Sequence, residues 1–270
     1  MIRLTKEKLG TIDKAYTHGG VFHADDVFST ALLELASPSI NIVRTFKVPE
    51  DAELAFDIGE GKYDHHQEGS DVRENGIPYA AFGLLWRDLG PELLGSEEEA
   101  KLFDQNFVQI IDLTDNTGEP NALSSAISSF NPTWEDGPER ADERFREAVE
   151  FAFQILVNHI RRVEGKLRAR LIVEGALHSS DTGIVLLPQF APWYDVLIPS
   201  EAKFVIFPSQ RGGFNLQVIP VDFGTQVPKI QLPEKWLTDL PPGCTFVHKG
   251  LFLAAFDTKE NAINAARMLL

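Results

Sequence analysis

The sequence predicts an α/β protein in two lobes, a parallel-sheet lobe and a smaller α/β lobe joined by a long helix. Three observations predict it. Apolar runs of strand length alternate with helix-periodic runs from Ala15 to Leu113, the pattern of a parallel layer fold. A helix-periodic stretch of unusual length, from about Arg140 to Leu177, follows the turn-rich run Glu135-Asp136-Gly137-Pro138-Glu139. Beyond it short strand-like runs dominate until a terminal helix. At 270 residues the chain can give each lobe its own apolar core. The expected boundaries are 1–135 for the first lobe, 136–177 for the helical connector and 178–270 for the second lobe.

Taken in order, the chain from Ala15 passes through Asp25-Asp26 into Val27-Phe28-Ser29-Thr30-Ala31-Leu32-Leu33-Glu34-Leu35, where apolar residues recur at helical spacing. The polar residues ahead of that run therefore sit on a loop feeding a helix N-terminus. Ile40–Phe46 and Leu54–Ile58 read as strands, and Tyr79–Leu89 and Glu97–Leu113 as helices. Ligands of such sheets gather at strand C-terminal ends. In the smaller lobe Ile184–Leu187, Lys203–Phe207, Phe214–Pro220 and Thr245–Phe256 read as strands, with a last helix from Thr258.

Composition narrows the function. With 43% hydrophobic and 24% charged residues the chain is neither disordered nor collagen-like. A formal net charge of −15 argues against a broad duplex-binding surface and confines any nucleic-acid footprint to a local patch. The same excess suits a carboxylate cluster that divalent cations neutralise. The single cysteine, Cys244, cannot form an intramolecular disulfide, which points to the cytoplasm. Charges at Arg3, Lys6, Glu7 and Lys8 argue against a signal peptide, and no later run reaches the length of a membrane span.

Four clusters carry potential chemistry. His18-Gly19-Gly20-Val21-Phe22-His23-Ala24-Asp25-Asp26 offers two imidazoles and a carboxylate on one short loop, with glycines that let the backbone fold tightly. Either histidine alone is more often structural; it is the clustering that argues for a site. Asp57 follows the apolar run Leu54-Ala55-Phe56 and precedes Gly59, where a strand hands its last side chain to a site. Tyr63-Asp64-His65-His66-Gln67 puts three ligands or proton carriers in consecutive positions. In Ile110-Ile111-Asp112-Leu113-Thr114-Asp115-Asn116, two aspartates spaced by three share one side of a helical turn; either Asp112 or Asp115 serves as ligand. Imidazole and carboxylate without thiolate suit Mn²⁺, Mg²⁺, Zn²⁺ or Fe²⁺, and a carboxylate-rich set with room for two ions favours Mn²⁺ or Mg²⁺. Two such ions promote in-line displacement at phosphorus.

The order of these motifs resembles the Asp-His-His phosphoesterase superfamily, which includes manganese pyrophosphatases and single-strand exonucleases. More narrowly, Thr17-His18-Gly19-Gly20-Val21-Phe22-His23-Ala24-Asp25-Asp26, Tyr63-Asp64-His65-His66-Gln67, Asn131-Pro132-Thr133-Trp134 and Gly243-Cys244-Thr245-Phe246-Val247-His248 look like the melanocyte-proliferating-gene family. The resemblance spans nearly the whole chain. It implies a two-metal phosphodiesterase, and eukaryotic relatives are regarded as 3′-to-5′ RNA exonucleases. It also implies that His18 and His23 hold one ion, that Asp25, His65 and the Asp112 or Asp115 carboxylate hold the other, and that Asp57 bridges them. His66 would face the substrate, with Asp57 and Asp64 beside it in the catalytic set. Gly19 stands where the family usually has Asn, and Asp26 where it usually has Glu.

The second lobe of the wider superfamily grips substrate phosphates, so the resemblance points to His248 and Lys249 beside Gly250, with Arg211 of Arg211-Gly212-Gly213 as a further contact. The expected partner is single-stranded RNA or a short oligonucleotide. Two other readings stay open: a hydrolase of a small phosphate compound such as pyrophosphate or a dinucleotide, and a metal-stabilised RNA-binding protein without turnover. The oligomeric state is open too, a homodimer being one option.

Overall fold

The computed structural model describes residues 3–137, 139–180, 182–225 and 227–270. The chain divides into two compact units, Met1–Val163 and Glu164–Leu270.

The first unit begins with a short helix α1 (Lys6–Leu9), followed by strand β1 (Lys14–His18), helix α2 (Ala24–Ala36) and strand β2 (Asn41–Thr45). β1 and β2 pair in parallel, Lys14 against Asn41 through His18 against Thr45. Their helical crossover is the connection that parallel pairing requires. The strand expected at Leu54–Ile58 is shorter than the sequence suggested. Tyr16 takes one hydrogen bond on each side of Ala55, its N–H donating to Leu54 O at 3.0 Å and its carbonyl accepting the Phe56 N–H at 2.9 Å, and the run then stops. It stops because Asp57 turns into the left-handed region, at φ 57°, which no extended ladder tolerates.

Helices α3 (Ala81–Leu94), α4 (Glu97–Phe103), α5 (Gln109–Thr117) and α6 (Ala122–Ser128) pack with α2 and with one another around a shared core. The helix expected over 97–113 is present but widens into a π-turn at Asp104–Val108 and runs on to Thr117. Its start is dictated locally: Ser96 caps α4 by accepting the Glu99 N–H at 3.2 Å. Pro91 in α3 lacks the N–H that would bond the Arg87 carbonyl, and that carbonyl instead accepts a hydrogen bond from Arg3 Nη2 at 3.3 Å. Phe22, Phe28, Phe56, Phe82 and Trp86 fill the core of this unit.

Helix α7 (Arg140–His178) carries residues of both units. The basic residues along it are interleaved with acids, Arg168 pairing with Glu164 at 3.5 Å and Arg170 with Glu174 at 2.9 Å, as on a solvated helical face.

The second unit holds a mixed five-stranded sheet built from β3 (Ile184–Leu186), β4 (Phe204–Pro208), β5 (Phe214–Val218), β6 (Cys244–Val247) and β7 (Leu253–Phe256), in the order β3-β4-β5-β7-β6. β3 and β4 are parallel, the other pairs antiparallel. The run Thr245–Phe256, expected as one strand, is a hairpin. It turns at His248–Phe252, where Leu251 takes φ 55° and donates its N–H to His248 O at 2.8 Å. A short helix α8 (Tyr194–Leu197) and the terminal helix α9 (Lys259–Arg267), capped by Thr258, complete the unit. Among the described residues no helix is long and apolar enough to cross a membrane.

Candidate metal centre

The C-terminal end of β1, the N-terminus of α2, the turn after Phe56, the loop Tyr63–His66 and the last turns of α5 converge within the first unit. Among the described residues three neighbouring ligand groups result: His18 with Asp26 and Asp57; Asp57 with Asp64, His65 and His66; and His23 with Asp25 and Asp115. Asp57 belongs to two of the three. Its unusual backbone is what lets it do so. The positive φ ends the extended run and aims the carboxylate back across β1, and the turn is closed by the Asp57 N–H donating to Tyr63 O at 2.9 Å. A non-glycine residue held there costs on the order of 1 kcal/mol, and such strain is typical of functional sites.

His18 Nε2 lies 3.2 Å from Asp26 Oδ2 and 3.2 Å from Asp57 Oδ2. Burial draws the His18 pKa down, but its contacts with the two carboxylates outweigh that and push it up to about 10. His23 caps α2 and its N–H donates to Asp26 Oδ1 at 2.9 Å. Its ring Nδ1 is 3.7 Å from Asp115 Oδ1. His65 Nε2 lies 2.8 Å from Asp115 Oδ2, and its Nδ1 is 3.4 Å from Asp57 Oδ1. Burial works against the charged forms of His65 and Asp115; their mutual contact raises the first and lowers the second.

His66 is arranged differently. Its side chain is 60% exposed, and Nδ1 lies 2.9 Å from Asp64 Oδ1, so the imidazole N–H donates to a fixed carboxylate and Nε2 is left outward. Asp64 also accepts the backbone N–H groups of Glu60 at 2.7 Å and His66 at 3.1 Å. Burial favours its neutral form, yet these donors and His66 hold its pKa below the usual carboxylate range.

Asp25 carries the strongest sign of a cation site. It is fully buried, and neither of its carboxylate oxygens has a hydrogen-bond partner. Burial and then the charges of Asp57, Asp115 and Asp26 push its pKa well above the ordinary value. Asp26 Oδ2, Asp57 Oδ1 and His65 Nδ1 also lack hydrogen-bond partners. Buried carboxylates without donors are costly unless a cation pairs with them. The donor set of imidazoles and carboxylates fits divalent cations without further side chains.

Asp112 does not join this cluster. Three residues advance a helix by about 300°, leaving a 60° offset, enough for Asp112 to face Arg73 and Gly83 while Asp115 faces His65. There it is fully buried, accepting from Arg73 Nη2 at 2.7 Å and from the Gly83 N–H at 3.1 Å. Gly83 has to be glycine for this approach: a Cβ would stand 1.9 Å from Asp112 Oδ2. Arg73 is also held by Asp104 through both carboxylate oxygens, at 2.9 and 2.6 Å.

His248, Lys249 and Arg211 lie in the second unit and are exposed. His248 Nδ1 accepts the Gly250 N–H at 3.0 Å, which leaves its Nε2 as an outward donor.

Sequence reasoning underweighted three residues. Asp26 contacts His18 and caps His23; its signal was the carboxylate three positions after a helix N-cap. Asn131 clasps the backbone of Phe22 between the two histidines, accepting its N–H at 2.9 Å and donating to its carbonyl at 2.8 Å. Arg44, nearly buried, donates to Gly20 O at 2.6 Å and stands 4.6 Å over the Phe145 ring. The Asn-Pro-Thr-Trp run flagged the second; nothing local flagged the third.

Comparison with known proteins gives a consistent group. The family model MYG1_exonuc, described as "Uncharacterised protein family (UPF0160)", matches residues 14–270. The MYG1 exonuclease of Mus musculus is 30% identical, with 94% of this chain and 84% of that protein covered. The MYG1 exonuclease of Homo sapiens is 28% identical, covering 98% and 88% respectively. The MYG1 protein of Dictyostelium discoideum is 26% identical, covering 92% and 93%. Among solved structures, RecJ from Thermus thermophilus in complex with Mg²⁺ matches with a TM-score of 0.28 and 14% identity, over 97% of this chain and 51% of its own, a likeness too slight to argue from.

Proposed function

Since the chain belongs to the MYG1_exonuc family (UPF0160) and is a phosphoesterase of exonuclease type, we propose that it removes nucleotides from RNA or short single-stranded oligonucleotides in the 3′-to-5′ direction, using two Mn²⁺ or Mg²⁺ ions. The observation that carries this reading is Asp25, a fully buried carboxylate with no donor on either oxygen, set among His18, His23, Asp26, Asp57, His65 and Asp115.

In this reading His18, Asp26 and Asp57 would hold one cation, and His23, Asp25, Asp115 and His65 the other, with Asp57 within reach of both groups. When bound, the cations supply Lewis-acid stabilisation of phosphoryl oxygens and lower the pKa of the attacking water. The chain's own groups do the rest. His66 Nε2 delivers a proton to the departing oxygen. Asp64 fixes the ring through Nδ1 and stays ionised because backbone N–H groups hold its charge. Asp112 is assigned to the scaffold: its pairing with buried Arg73 and the Gly83 N–H occupies it. His248, with Lys249 and Arg211, is assigned to phosphates remote from the scissile bond, supported by the outward Nε2 of His248. The corresponding division of labour is a catalytic segment 1–135, a connector 136–177 and a substrate-binding segment 178–270. A cytoplasmic location, consistent with the lone Cys244, belongs to the same proposal.

The test incubates metal-reconstituted protein with end-labelled oligoribonucleotides, oligodeoxyribonucleotides and pyrophosphate in parallel. Stepwise shortening of the oligoribonucleotide from its 3′ end is the expected result. Turnover of pyrophosphate alone would convert the assignment to a small-phosphate hydrolase, and binding without turnover would make the site a structural one.

A further inference from the structure

An aromatic side chain that the core does not use lies against the ligand loop. Phe46 follows the last residue of β2 and is 85% exposed. Its ring packs on Gly19, the residue after His18: a Cβ at Gly19 would stand 3.1 Å from Phe46 Cζ, so the missing side chain is what lets the ring lie there. The backbone that presents it is pinned. Thr45 O accepts the Gly19 N–H at 2.8 Å, and the Thr45 hydroxyl spans Phe46, donating to Lys47 O at 2.9 Å and accepting the Lys47 N–H at 3.2 Å. Lys47 is exposed and forms no ion pair among the described residues.

A scattered exposed hydrophobe needs no explanation, but this one is fixed against the loop that carries His18, and an exposed cation adjoins it. We propose that Phe46 is a base-stacking residue: an unpaired nucleobase of a single-stranded substrate lies on its face while the neighbouring phosphodiester sits at the His18–Asp57 cluster. The proposal rests on the phosphodiesterase reading and sharpens its substrate class. Every nucleobase has a π-face, so stacking tolerates sequence while requiring a base. Inorganic phosphate and pyrophosphate offer nothing to stack. Lys47 attracts the backbone without reading it.

The experiment compares wild type, Phe46→Ala and Phe46→Tyr on a hexaribonucleotide and on the same oligomer with abasic sugars, by steady-state kinetics with Mn²⁺ and by fluorescence-anisotropy binding with Ca²⁺. Phe46→Ala is expected to raise KM and Kd about tenfold for the base-bearing oligomer, leave both unchanged for the abasic one, and leave metal content unchanged; Phe46→Tyr should restore wild-type values. Equal effects on the two oligomers, or none, would overturn the stacking role. So would a change of oligomeric state in Phe46→Ala, which would make the ring part of an interface between copies. If wild type binds the base-bearing oligomer without cleaving it, the hydrolase reading fails while the stacking role is still decided by the Kd comparison. If it binds neither oligomer, the stacking role falls with it.

Discussion

Asn131 grips the backbone of Phe22 from 109 positions away, its Oδ1 accepting the Phe22 N–H at 2.9 Å and its Nδ2 donating to the Phe22 carbonyl at 2.8 Å. Phe22 lies between His18 and His23, and its ring is buried edge-on against Phe145 at 5.4 Å. The clasp therefore fixes the spacing of two imidazoles without touching either. Replacing Asn131 with Ala strands both backbone groups, at about 1–3 kcal/mol of stability. Weaker orientation of the ligand loop should also lower Mn²⁺ affinity, on the order of 10-fold or more. Thermal denaturation and metal titration check both; unchanged metal affinity in a destabilised variant would confine Asn131 to the scaffold.

Asp57→Asn should abolish turnover and reduce bound metal. The carboxylate belongs to two of the ligand groups, and a bridging ligand needs both oxygens charged to hold two cations. Metal analysis of the purified variant beside an activity assay decides it. Full activity with wild-type metal content would overturn the proposed bridging role of Asp57.

The rings of His65 and His66 lie 4.1 Å apart, tilted by 32°, but should behave differently when truncated. His65 is 8% exposed and locked to Asp115, so His65→Ala should lose metal and stability together. His66→Ala, truncating a mostly exposed ring, should keep its metal and lose rate by roughly 10²–10⁴-fold, most severely with poor leaving groups. Equal metal loss in the two variants contradicts the division.

Asp112 gives the fold a pH dependence of defined sign. Burial pushes its pKa up to about 7, against the opposing pull of Arg73. Below the unfolded value near 3.8 both states carry the proton; between there and about 7 only the folded state does. This contribution to stability is therefore lost as pH rises through that window, with a slope of up to about 1.4 kcal/mol per pH unit. Denaturant titrations of metal-free protein from about pH 4.5 to about pH 7.5, a range that covers most of this window, should show the slope reduced in Asp112→Asn. Identical slopes would mean that Asp112 stays charged beside Arg73.

Gly83→Ala should be far more damaging than an ordinary helical substitution, which would gain up to about 1 kcal/mol from helix propensity. The added methyl would stand 1.9 Å from Asp112 Oδ2 and 2.5 Å from Arg73 Nη2, so the buried contact between Arg73 and Asp112 has to break or α3 has to shift, at about 3 kcal/mol or more. A melting temperature equal to or above wild type would show that the helices can slide apart freely.

What could be read from the chain before it folds is local. Helical spacing marked α2, α5 and α7, because amphipathic periodicity is written in neighbouring residues. Crowding of His18, His23 and Asp25 on one glycine-containing loop, and of Asp64, His65 and His66 in succession, marked the ligand types, because each cluster is brought together by the chain itself. The choice between Asp112 and Asp115 needed the folded protein, since a 60° difference in helical phase acquires meaning once Arg73 and Gly83 occupy one side and His65 the other. So did the finding that Leu54–Phe56 bridges β1 without forming a full strand, through the positive φ of Asp57. The same holds for Arg44, and for the task of Asn131 though not for its motif: both act on the loop between the histidines through backbone hydrogen bonds. A backbone acceptor has no residue type, so no pattern of side chains can reveal which distant residue will reach it.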